Sequence, residues 1–100
     1  MAKKTLLPYS FSFKAQKDLD RATLWYNDQR WMLGLEFVDF IQKKILHIRK
    51  YPAEFMFISN KVQRAILNKY PYVIFFTLEE NTIIILRIRH KKQYPLIRFK

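Results

Sequence analysis

Residues Val62 to Pro95 read V-Q-R-A-I-L-N-K-Y-P-Y-V-I-F-F-T-L-E-E-N-T-I-I-I-L-R-I-R-H-K-K-Q-Y-P. Two runs in this stretch, Tyr70–Leu78 and Thr82–His90, are dense in aromatic and β-branched residues, which favour the pleated surface of a strand. The polar break Glu79-Glu80-Asn81 has the length of a short hairpin connection. Val62–Leu67 in front is a third strand, which predicts an antiparallel β-meander. In the last strand, Ile84, Leu86, Ile88 and His90 share one face, expected to be the core side. Ile83, Ile85, Arg87 and Arg89 share the other. The middle strand is apolar on both faces, with Tyr72, Ile74, Phe76 and Leu78 on one and Val73, Phe75 and Thr77 on the other. It is therefore expected at the centre of the sheet with both sides covered, one by helices and the other by a loop, a tail or a partner chain.

Working outward, Leu6–Ser12 alternates loosely and predicts a first strand, with Pro8 near an edge. Ser12 is placed to cap a following helix. From Lys14 to Arg30 the pattern is helical: Ala15, Leu19, Ala22 and Tyr26 form a stripe with Trp25 beside it. Asp18 and Asp20 lie off the stripe, near the helix start where the dipole favours acids. A break around Arg30–Leu33 leads to a second helix ending near Tyr51, with Leu33, Phe37, Ile41, Ile45 and Ile48 as its stripe. Cations load its last turns, and Pro52 ends it. The short link implies an antiparallel helical hairpin. The expected architecture is α+β: an N-terminal strand, the helical hairpin, then the three-stranded meander, in one domain over residues 1–100. The loop at residues 52–61 carries Phe55, Met56 and Phe57, either folded over the core edge or exposed as an anchor for a partner. The tail Leu96-Ile97-Arg98-Phe99-Lys100 is apolar enough to extend the sheet or pack on the helices.

Composition narrows the chemistry. There is no cysteine, which excludes disulfides and thiolate metal sites, and two histidines are too few for a His-rich metal centre. No cofactor is expected. The N-terminal apolar stretch is too short for a signal peptide, and no run reaches the roughly 20 apolar residues of a membrane span. The expectation is a cytosolic protein. Nineteen basic against eight acidic residues give +11. Residues 61–100 hold nine basic and two acidic residues, so the excess concentrates around the meander and tail. Such a patch attracts nucleic acid or an acidic protein.

Several pieces in order resemble the RelE/ParE superfamily of bacterial toxins. Ala15-x-x-Asp18-Leu19 followed by Trp25-Tyr26 resembles its first-helix pattern. Leu33-Gly34 with Phe37 resembles the start of the second helix, and Ile48-x-x-x-Pro52 its end. Arg64, then Tyr70-Pro71-Tyr72-Val73-Ile74, is similar to the family's aromatic-Pro-Tyr-x-Ile strand. Ile84–His90 followed by Pro95 resembles its last strand and His-x-x-x-x-Pro turn. The Tyr-Pro-Tyr strand and this ending resemble the ParE, or plasmid-stabilisation, branch.

The resemblance implies a toxin of a type II toxin–antitoxin system, neutralised by an acidic, partly disordered antitoxin. In the ParE branch the target would be DNA gyrase and the action binding. In the RelE branch it would be ribosome-dependent cleavage of messenger RNA. A metal-free ribonuclease needs a proton acceptor, several cations and a proton donor converging on one phosphate. RelE-type toxins place an arginine where this chain has Val73, and another where it has Lys92 or Gln93. The candidates that remain are Arg64 as phosphate clamp, His90 as base or acid, Lys91 and Lys92 as cations, and Tyr94 as acid. Against those roles, His90 also fits a packed residue holding the tail, Arg64 a salt-bridging residue, and His47 a surface residue. Phe55, Met56, Phe57, Arg87, Arg89 and Arg98 are candidate contacts for antitoxin or target. Three functions follow: a ParE-like binding toxin, a RelE-like endoribonuclease, and an antitoxin-binding remnant without toxicity.

Overall fold

A computed structural model describes residues 6–92. The order is β1 (Tyr9–Phe11), α1 (Phe13–Gln29), α2 (Leu33–Lys50), a short 3-10 turn (Pro52–Glu54), β2 (Val62–Ile66), β3 (Tyr72–Glu79) and β4 (Thr82–His90). The sheet order is β1-β4-β3-β2. The meander β2-β3-β4 is antiparallel, and β1 adds a short parallel strand on the outer side of β4.

Local chemistry accounts for the element ends. Ser12 Oγ accepts the Ala15 N–H at 3.0 Å, capping α1, and donates to the Leu86 carbonyl at 2.9 Å, tying that cap to β4. The β3–β4 turn is Glu80-Asn81, both left-handed (φ 49° and 60°), the geometry of a type I′ hairpin turn. Met32 is also left-handed (φ 65°), as the residue that opens α2. The chain's glycine serves a close approach instead: a Cβ on Gly34 would lie 2.5 Å from Asn27 Oδ1 and 2.6 Å from the Thr23 carbonyl. Gly34 N–H donates to that same Asn27 Oδ1 at 2.8 Å, which pins the start of α2 against α1.

The main core lies between the helices and one sheet face. Ala15, Leu19, Ala22 and Tyr26 of α1 and Phe37, Ile41, Ile45 and Ile48 of α2 meet Ile74, Phe76, Ile83, Ile85 and Ile88. A smaller cluster on the far face holds Val62, Val73 and Phe75, with Ile58 and Leu86 packed against it. The middle strand is thus buried on both faces, and the loop residue Ile58 contributes to the second cover.

Two sequence expectations are corrected. On β4 the helix-facing residues are Ile83, Ile85 and Ile88, not Ile84, Leu86, Ile88 and His90 as one alternating set. The register shifts between Phe75 and Phe76: Phe76 faces Ile85 while Phe75 faces Arg87, so Leu86 is an extra residue. One inserted residue reverses the alternation on either side of it. Asp18, expected off the apolar stripe, is buried at 7% exposure. The aromatic loop divides. Phe55 packs against Phe76 (5.8 Å between ring centres) and joins the main core, whereas Met56 and Phe57 stay exposed. The Leu96–Lys100 tail lies outside the described residues.

Candidate functional site

The site grows from the outer edge of β4. Strand β1 pairs with Ile83, Ile84 and Ile85 only. Beyond Ile85 the edge is met by α1, which starts from Ser12 and lays Asp18 against it. The Asp18 carboxylate accepts from Arg87 Nε at 2.8 Å, Arg87 Nη2 at 3.1 Å and the Ile88 backbone N–H at 3.0 Å. Arg89 Nη1 lies 3.7 Å away. A carboxylate gripped by a guanidinium fork and a main-chain donor is a strong, directional pairing. Its hydrogen bond raises the Arg87 guanidinium further above its usual range, against the opposing effect of burial. Arg87 and Arg89, candidate partner contacts by sequence, are thereby drawn onto α1.

Beside this clamp a cleft of about 560 Å³ opens between α1 and the ends of β3 and β4. Asp18, Arg21, Trp25 and Tyr26 line one wall, and Pro71, Tyr72, Arg89, His90 and Lys92 the other, with Ala22 and Ile88 also in the lining. Trp25 is 55% exposed, and its ring stands edge-on to Tyr26 at 5.1 Å. Burial, with the charge of Asp18, raises the Tyr72 phenol above its ordinary range, so the cleft presents it neutral. Arg21 and Lys92 are exposed cations at the rim.

The structure brings His90, Lys91 and Lys92 together at the end of β4, with His90 and Lys92 in the cleft. The Lys92 backbone N–H donates to His90 Nδ1 at 3.1 Å. In the neutral ring that bond favours the tautomer with the proton on Nε2, because Nδ1 accepts. The ring also sits edge-on to Tyr72 at 5.2 Å. Arg64 is not part of this group. It lies opposite Phe75, on the sheet face away from the helices, whereas His90 lies opposite Tyr72, on the helix face. Arg64 Nη2 instead meets Met56 Sδ at 3.3 Å. Tyr94 and Arg98 lie outside the described residues. His47 is a surface residue, 3.0 Å from Glu54 Oε1. Among the described residues no group of three metal-ligating side chains forms.

Sequence reasoning missed Asp18, Arg21 and Trp25 as a set. Their spacing of three and four residues is a second helical stripe beside the apolar one, and that was the available signal.

The family model for the ParE toxin of type II toxin–antitoxin systems, parDE, matches residues 9–95. The chain belongs to the ParE toxin family. This ParE-family fold is shared by a chromosomal ParDE toxin–antitoxin system from P. aeruginosa, with a TM-score of 0.74 and 20% identity over 85% of this chain and 96% of that one. The RelBE2 toxin–antitoxin complex from Mycobacterium tuberculosis is similar too, with a TM-score of 0.60 and 15% identity over 86% of this chain and 99% of that one. No curated protein shows a significant sequence match. Among the described residues, no helix is long and apolar enough to cross a membrane.

Proposed function

We propose that this ParE-family toxin arrests growth by holding its target, DNA gyrase by family resemblance, without cutting RNA. An acidic, partly disordered antitoxin neutralises it. The observation that carries this reading is the state of His90. Its Nδ1 is engaged by the Lys92 N–H, which in the neutral ring places the proton on Nε2 and sets that nitrogen to donate rather than to accept from a 2′-hydroxyl. Three features support it further. Arg64, the candidate phosphate clamp of a ribonuclease reading, is on the other sheet face. Val73, where the RelE branch has an arginine, is buried at 1% exposure. Arg87 and Arg89 are drawn to Asp18. The antitoxin rests on the family and on the +11 charge, which favours an acidic partner.

The rival is a ribosome-dependent endoribonuclease, favoured by the adjacency of His90, Lys91 and Lys92 at one turn. Expression without antitoxin decides between them, with messenger RNA ends mapped and the DNA-damage response followed in one culture. Arrest with DNA damage and intact messages is the expected result. Codon-phased cuts lost on His90→Ala would make the protein a ribonuclease. Unimpaired growth would reduce it to an antitoxin-binding remnant.

A further inference from the structure

We infer that the α1–β4 cleft is a binding site for single-stranded nucleic acid, in which one base stacks on Trp25 and its phosphate meets Arg21 and Lys92. The argument begins with what the cleft presents. A tryptophan is a stacking platform, and leaving it 55% exposed forgoes the burial that so large an apolar ring would otherwise gain. Pro71 and Tyr72 form a second apolar surface on the opposite wall. Among the described residues the sole carboxylate in the lining, Asp18, is already matched by Arg87, Arg89 and the Ile88 N–H. Among those residues Arg21 and Lys92 therefore meet no competing acid within the cleft. His90 adds an Nε2–H donor, oriented by the bond at its other nitrogen. Ring, cations and donor suit a base with its phosphate. The volume of about 560 Å³ leaves room for one nucleotide and the start of the next.

An acidic peptide is the competing occupant, and the geometry disfavours it. Extended peptides bind by adding a strand to a free sheet edge. Here the main-chain donor of Ile88 on the outer edge of β4 is taken by Asp18. The guanidinium fork of Arg87, the kind of group that recognises a carboxylate, is also taken.

The test is a titration of the purified full chain with a labelled single-stranded DNA octamer at low salt, followed by anisotropy. The tryptophan emission of a Trp31→Phe variant is followed in parallel, so that Trp25 reports alone. The expected result is quenching of Trp25. Trp25→Ala and Arg21→Ala/Lys92→Ala should each lose roughly ten-fold or more in affinity. Lys43→Ala/Lys44→Ala removes the same charge from the far helix and should lose much less. Equal losses from the two double variants would overturn the proposal and leave a general basic surface. Unquenched Trp25, binding of inorganic polyphosphate as tight as that of the octamer, or tighter quenching by an acidic peptide would overturn it too. Trp25 and Arg21 are exposed, so these variants are expected to fold, and circular dichroism checks it. No gyrase or ribosome is present in the titration, so its failure would leave the proposed mode of growth arrest standing.

Discussion

At the scale of single residues, Asp18 organises more than any other side chain. It closes the edge of β4, fixes two arginines and shapes the cleft wall. Asp18→Ala leaves the Arg87 guanidinium without its partner and should lower unfolding free energy by about 3 kcal/mol in urea titration. Asp18→Asn keeps an acceptor for the Ile88 N–H and should lose less. Tyr26 gives a pH signature. Burial first, then the neighbouring phenols Tyr72 and Tyr70, push its hydroxyl from 10.0 to about 12. The folded state therefore favours the neutral phenol. Below pH 10 this contributes fully, and it is lost as pH climbs through about 12. Stability should fall over that window by about 2–3 kcal/mol more in the wild type than in Tyr26→Phe, measured by chemical denaturation at each pH. Of the candidate site residues, His90 and Lys92 were legible because an ionisable cluster ends a strand. The clamp was not: Asp18 and Arg87 are 69 positions apart, and only the fold makes them neighbours.

At the scale of elements, the helices were readable because their apolar positions recur with a helical period and a proline follows the second. The meander was readable from its β-rich runs and polar turn. What escaped was the bulge at Leu86, since an inserted residue leaves composition unchanged while reversing the faces. The parallel pairing of β1 escaped as well, because three residues carry no mark of the neighbour they choose. The α1–α2 contact yields a prediction of its own. A methyl group on Gly34 meets the Thr23 backbone carbonyl, which has little freedom to withdraw. Gly34→Ala should therefore cost about 1–3 kcal/mol despite the better helix propensity of alanine, seen as a lowered urea midpoint.

At the scale of the whole molecule, a charge of +11 on a chain of 100 residues repels itself when folded. Raising salt from roughly 0.01 to 0.15 M shortens the screening length from about 30 to about 8 Å. The thermal midpoint should rise over that range; a fall would mean that the surface ion pairs, such as Arg30–Glu36 and Lys43–Asp39, outweigh the repulsion. Charge and the Asp18 clamp also meet in the protein's colloidal behaviour. An unpaired strand edge is a template on which further copies can grow into fibrils. Beyond the short β1, a buried carboxylate plugs that edge and gathers arginines beside it. On that side, a copy parted from its antitoxin is thus guarded against self-templating by its own side chains, which favours its staying dispersed while it acts.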